Sequence, residues 1–314
     1  NTMVLVHSTT KGLSAMTLAI AHSRGWLDYE ERVCAYWPEF AQQGKERITV
    51  RQLLSHQAGL YALDERPTRD LVADPDRLAA VLARQKPAWP PGSRQAYHGI
   101  TLGFYESELL RRVDPGHRTL GRFFQEEIAT PLGIEFYLRL PEAIPDSRLA
   151  PLHRPNMAKM LLTMPIRLTL AGMNPRSRLR RCLEGSELPE QGDRVYAREL
   201  EVPAGGGFGT ARALARAYGA FAIGGKELGL REETLRQLMA PLAIRHDGLP
   251  GLVGGAVGYV GYDFVRFLEK LPSRQPDVHE GLDAAGPGRH DGHAVRQVDR
   301  LAHVVGHEEH RLAA

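Results

Sequence analysis

Apolar residues recur at helical spacing through much of the chain. Leu13, Met16, Thr17, Ile20 and Ala21 share one stripe and Gly25 follows as a stop, so the pattern predicts an amphipathic helix of about four turns opening at Ser8. Residues 2–7 read as the end of a short apolar strand that runs straight into it. Trp26, Leu27 and Asp28 turn the chain, and Tyr36, Trp37 and Phe40 supply aromatic packing. Thr49 is expected to cap a second helix carrying Val50, Leu53 and Leu54, with Gly59 ending it at positive φ. Helical patterns return over residues 76–84, 101–113 and 120–129, the last closed by Pro131 and Gly133. Two more cover residues 211–223, capped by Thr210, and residues 234–239. Between them, the three prolines of residues 87–92 break the pattern and deliver an extended loop to Tyr97. Residues 136–140 alternate as a strand does, and residues 139–174, with several prolines and methionines, read as an irregular or helical lid.

Composition narrows the class. With 43% hydrophobic and 25% charged residues in 314, the chain has enough material for a core. No run of about 18 apolar residues is present, so a soluble protein without a membrane span is expected. The net charge of +3 is spread without a long basic run in the first 250 positions, so no nucleic-acid partner is indicated. The four arginines of residues 176–181 read as a solvated face. Cys34 and Cys182 form no C-x-x-C pair, which argues against a disulfide framework or thiolate metal site and for a cytoplasmic location. The chain opens on Asn1, so something upstream is expected to be missing, and an exported precursor stays open.

The candidate chemistry begins at Ser8-Thr9-Thr10-Lys11. Residues three apart on a helix share a face, so the Ser8 hydroxyl and the Lys11 amine can point into one cavity. A serine hydroxyl is a poor nucleophile until a base takes its proton, and a lysine serves only when partial burial favours its neutral amine. The spacing alone is weak, since 10 serines and 6 lysines in 314 residues give roughly 0.2 such pairs by chance. A capping serine beside an exposed lysine is the competing reading. The glycines of residues 205–209 lack G-x-G-x-x-G spacing and a P-loop lysine, so they point to close backbone packing rather than a nucleotide site.

Four ordered segments resemble the serine β-lactamase-like hydrolases, within them most closely the class C-related esterases, over residues 4–249. They are the S-x-x-K of Ser8 and Lys11, and Leu53-Leu54-Ser55-His56-Gln57-Ala58-Gly59-Leu60, similar to L-L-x-H-x-S-G-L with Ala58 in place of the serine. Tyr97-His98-Gly99-Ile100-Thr101-Leu102-Gly103 is similar to the esterase form Y-H-x-x-T-x-G, and residues 205–215 resemble G-G-G-x-x-T-A-x-x-L-A. The resemblance implies an α+β, β-lactamase/transpeptidase-like fold, an antiparallel sheet with a helical region. It implies Ser8 as nucleophile, Lys11 as base and Tyr97 as hydrogen-bonding partner and proton donor to the leaving group. The Ser8 N–H would be half of an oxyanion hole, and His56 a buried structural histidine. The expected partner is a small-molecule ester or amide, with β-lactam hydrolysis as a side activity, and neither cofactor nor metal is expected.

The family's third motif, a K-T-G, H-x-G or W-G-G triplet, should follow residue 241 and is not found, and the upstream strands of the sheet are expected to be missing. Residues 254–266 instead resemble the G-G-x-V-G-Y-x-G-Y-D-x-V-R segment of anthranilate synthase component I. The expected organisation is an incomplete hydrolase domain over residues 1–250, the foreign segment over 251–272, and a disordered tail over 273–314. His303, His307 and His310 miss the H-E-x-x-H spacing by one residue and are not read as a zinc site. These departures would fit a rearranged reading frame, and they set a second reading, a noncatalytic remnant, beside the hydrolase. Oligomeric state is not legible.

Overall fold

In a computed structural model of the chain, residues 2–151, 166–183 and 198–239 are described. Helix α1 (Thr10–Ser23) follows a single 3-10 turn, His7–Thr9, and is succeeded by short α2 (Val33–Tyr36) and α3 (Val50–Leu54). A capping box starts α3: the Thr49 hydroxyl accepts the Gln52 N–H, and the Gln52 side chain accepts the Thr49 N–H. Thr68 and Asp74 cap α4 (Arg69–Ala73) and α5 (Pro75–Arg84). After α6 (Thr101–Val113), α7 (Leu120–Phe124) continues through one π-helical turn, Gln125–Ala129, into α8 (Thr130–Leu132), which Gly133 ends at φ +61°. The pattern over 120–129 therefore predicts one helix where the backbone widens midway. Then come α9 (Ile166–Met173), α10 (Arg178–Leu183), α11 (Ala211–Ala222), capped by Thr210, and α12 (Glu232–Met239).

The first helix departs from expectation. Its spacing predicts one apolar stripe, yet Leu13, Met16, Leu18, Ala19, Ile20 and Ala21 are all buried, and so are the polar Thr10, Lys11, Ser14, Thr17 and His22. Helices α6, α7 and α12 all pack on α1, so it is a central helix with almost no solvent face. Its buried hydroxyls find partners: Ser14 donates to Pro203 O (2.8 Å) and Thr17 to Ser14 O (2.6 Å). The other difference lies at α3. It ends at Leu54, before Gly59, and His56 itself takes the left-handed conformation at φ +63°, with Gly59 doing so again at +74°.

Three two-residue strands form an antiparallel sheet in the order β1–β3–β2, with β1 (Val4–Leu5), β2 (Phe136–Tyr137) and β3 (Phe208–Gly209). Val4 and Phe136 both pair with Gly209, and Leu5 and Tyr137 with Phe208. Strand pairing thus covers only the first two of residues 136–140. A side chain at Gly209 would overlap the buried Phe136 ring, which accounts for glycine there. The arrangement is α+β, as the segment pattern implies. The arginines of 176–181 do more than face solvent: Arg181 pairs with Asp64 at 2.6 Å, and Arg178 lies over the Trp89 ring. No helix among the described residues is long and apolar enough to cross a membrane. Of the expected lid, residues 152–165 lie outside the described residues, as do residues 254–266, the expected tail and its three histidines.

Candidate active site

Strand β1 ends at Leu5, Val6 donates its N–H to Gly207 O (2.9 Å), and the chain turns sharply through His7, whose φ is +45°. That turn lifts Ser8 to an exposed position one turn before Lys11, while the Thr10 hydroxyl, donating to His7 O and accepting the Gly207 N–H (3.0 Å), pins the corner from inside. Left-handed backbone at a non-glycine residue is uncommon and persists where its surroundings over-determine it. Lys11 Nζ stands 3.3 Å from Ser8 Oγ, and the Tyr97 hydroxyl donates to the same oxygen at 2.5 Å. All three residues expected from the sequence therefore meet at one point, although Tyr97 is 89 positions from Ser8.

Lys11 is 6% exposed, and its remaining hydrogen bonds are to backbone. Nζ donates to Gly99 O (2.6 Å) and Ala204 O (2.7 Å) and sits 4.8 Å from the Tyr97 ring centroid. Each carbonyl comes from a segment held close by glycine. A Cβ on Gly103 of α6 would collide with the Pro203–Ala204 backbone, and one on Gly99 would press on Cys182 O. Cys182 itself, from α10, donates its thiol to Tyr97 O (3.1 Å).

Behind Tyr97 lie two histidines with no solvent exposure to speak of. His98 Nε2 accepts the Leu60 N–H (2.9 Å), so in the neutral ring its proton is on Nδ1, which faces His56 Nδ1 at 3.1 Å. His56 Nδ1 also accepts the His98 N–H at 3.0 Å. Burial, helped by His98 and Lys11, drives His56 down to about 3, and burial drives His98 down to about 4, so both rings are neutral at ordinary pH. Glu106 on α6 is the third buried group of this region. Burial pushes its carboxyl up to about 8 against the pull of Lys11, so it holds its proton near neutrality.

Ser8 and Tyr97 face open surface. A cavity of about 170 Å³ lined around Tyr61 and Arg181 and one of about 670 Å³ around Leu132 and Arg216 do not touch the three residues. No cluster of His, Cys, Asp or Glu among the described residues could hold a metal ion. Sequence reasoning misses Gly99 and Ala204, because a carbonyl belongs to every residue type. It also leaves His98 and Glu106 without roles, though His98 adjoins Tyr97 in the recognised segment.

Comparison with known proteins gives the family. The sequence profile of the family described as Beta-lactamase matches residues 1–296. The chain is 36% identical over 236 residues to the esterase/beta-lactamase LipL of Mycobacterium tuberculosis, covering 72% of this chain and 52% of LipL, so it spans about half the length of that relative. The crystal structure of a family VIII carboxylesterase superposes with a TM-score of 0.61 at 33% identity, over 76% of this chain and 62% of that one. A shorter likeness, 39% over 74 residues, links 23% of the chain to 16% of anthranilate synthase component 1 of Thermus thermophilus.

Proposed function

Because the chain belongs to the β-lactamase family, we propose that it is a serine hydrolase acting on small esters or amides through an acyl-enzyme, with Ser8 as nucleophile, Lys11 as base and Tyr97 as proton donor to the leaving group. We assign the hydrolase domain to residues 1–250. The observation that carries the reading is the convergence of Lys11 Nζ and the Tyr97 hydroxyl on Ser8 Oγ, at 3.3 and 2.5 Å. Lys11 would take the Ser8 proton as Oγ forms its bond to the carbonyl carbon, and Ser8 N–H, at the N-terminal end of the turn leading into α1, would donate to the oxyanion. Tyr97 would then protonate the departing alkoxide or amine as the C–O or C–N bond breaks, and Lys11 would return its proton to Tyr97. Water repeats the sequence on the acyl-enzyme, freeing the acid and restoring Ser8. The likeness to an esterase and a carboxylesterase favours ester substrates.

The sequence lacks a recognisable third motif, which keeps a noncatalytic remnant as the second reading. Losing one oxyanion donor typically costs about 100- to 1000-fold in rate. One experiment separates the two. The full chain and Ser8→Ala are incubated with a fluorophosphonate probe and a short-chain p-nitrophenyl ester. A hydrolase labels at Ser8 and turns the ester over above the variant, whereas absence of both rejects the reading. Labelling without turnover means a competent nucleophile beside an incomplete oxyanion site.

A further inference from the structure

Tyr97 rides on a loop and is 44% exposed, so burial of its own ring does not fix where its hydroxyl points. We propose that His56 is a positioning residue for Tyr97, gripping the chain on both sides of it: the His56 carbonyl accepts the Ala96 N–H (3.1 Å), Nδ1 accepts the His98 N–H (3.0 Å), and the ring lies against the Tyr97 ring with centroids 5.1 Å apart. The inference rests on the reading of Tyr97 as part of the reacting site. Neighbouring bonds extend the same zipper, with Gln95 Nε2 donating to Ser55 O (3.1 Å) and the Thr101 hydroxyl to Leu60 O (2.8 Å). Within it His56 is the one residue that offers both its carbonyl and its side chain to the segment flanking Tyr97.

The left-handed backbone of His56 makes this grip possible. At φ +63° the carbonyl and the ring face residues 96–98 together, a conformation that non-glycine residues adopt only where the surroundings demand it. His98 packs against that ring. With its Nε2 committed to the Leu60 N–H, its Nδ1–H is turned to His56 Nδ1, which holds that atom as an acceptor and fixes the ring. Catalytic groups misplaced by about 1 Å can lose about 100-fold in rate, so a clamp of this kind governs how well Tyr97 reaches Ser8 Oγ.

The test reads the rate at which a fluorophosphonate labels Ser8 in the full chain. His56→Asn keeps an acceptor at the place of Nδ1 and tolerates the left-handed backbone, whereas His56→Gln carries its acceptor one bond too far. His56→Gln is expected to slow labelling by about 10- to 100-fold and His56→Asn by less than about threefold. In a Tyr97→Phe background, where the hydroxyl being positioned is gone, His56→Gln should cost less than about twofold more. If His56→Gln does not fold by circular dichroism, His98→Gln carries the same test, since it keeps an acceptor for Leu60 but loses the Nδ1–H. Its slowing must likewise vanish beside Tyr97→Phe. Equal losses for the Asn and Gln variants, or losses that persist undiminished beside Tyr97→Phe, overturn the positioning role while leaving the serine hydrolase reading intact. An unlabelled wild-type chain rejects both.

Discussion

Lys11 meets two carbonyls and one hydroxyl, and the count matters. A charged ammonium has three N–H groups, while the neutral amine has two and a lone pair. Gly99 O and Ala204 O occupy two directions in either state, so the third is always turned to Ser8 Oγ, as N–H donor when charged and as acceptor of the hydroxyl proton when neutral. Proton transfer in the proposed reaction therefore needs no rotation of the side chain. The weak point of the socket is Gly103, because a methyl group there meets the Pro203–Ala204 backbone rather than a flexible side chain. Gly103→Ala should push Ala204 O away from Nζ and slow fluorophosphonate labelling by about 10-fold or more, with secondary structure by circular dichroism unchanged. A labelling rate within twofold of wild type would show that the Ala204 contact is dispensable. Ser8, Lys11 and Tyr97 are legible in the sequence because side-chain identity at fixed spacing marks them. Gly103 is legible as a motif letter but not in its reason, which is the approach of a segment about a hundred positions away.

Helix boundaries follow from chemistry within a few residues, and that is why they read well. The spacing predicts a helix over 101–113 and the helix is Thr101–Val113; Thr49 and Thr210 cap where expected, each through its own hydroxyl. Strand pairing depends on partners 70 or more residues distant, so the alternation at 136–140 says nothing of how few residues pair. The turn between α6 and α7 is instead held by short-range contacts. Arg118 grips the buried Asp114 carboxylate with Nε (2.8 Å) and a terminal nitrogen (2.9 Å), reaches Glu126 and Glu127, and lies 4.5 Å over the Phe123 ring. The Arg118 guanidinium holds the Asp114 carboxyl down to about 2. Because the folded value lies below the ordinary 3.8, this contribution is present above that value and is lost as pH falls toward 2. Arg118→Ala should cost about 3 kcal/mol in urea denaturation, since it leaves a buried carboxylate without its cation. Adding Asp114→Asn should recover part of the loss, and a double variant no more stable than Arg118→Ala alone would refute the buried-charge account.

The buried titratable groups act on the stability of the whole molecule in opposite directions, and their windows overlap. His56 and His98 stay neutral in the folded chain down to about 3 and about 4, while the unfolded chain protonates them below about 6.5. The unfolded state therefore binds more protons in that interval, and stability falls as pH drops through it. His22, lowered chiefly by burial and next by Arg231, acts in the same direction. Glu106 opposes them. Its folded value of about 8 lies above its ordinary 4.5, so its contribution is complete below 4.5 and is lost as pH rises toward 8. Glu201, raised by burial, adds to that side. Between 4.5 and 6.5 the buried histidines lower stability as pH falls and Glu106 opposes them; above 6.5 the histidines are silent and Glu106 lowers stability as pH rises. Stability is thus expected to pass through a local maximum near pH 6.5 and to decline from there toward pH 8. Lys45, fully buried among the carbonyls of Gln42, Ala83 and Gln85 and lowered by burial to about 8, ends that decline, because the unfolded chain binds its proton between about 8 and 10.5 and the folded chain does not. Urea denaturation at pH 5.5, 6.5 and 8 measures the curve directly. Glu106→Gln should flatten the side above 6.5 while leaving the acid side steeper, and a wild-type chain as stable at pH 8 as at 6.5 would mean that Glu106 is not held protonated in the fold.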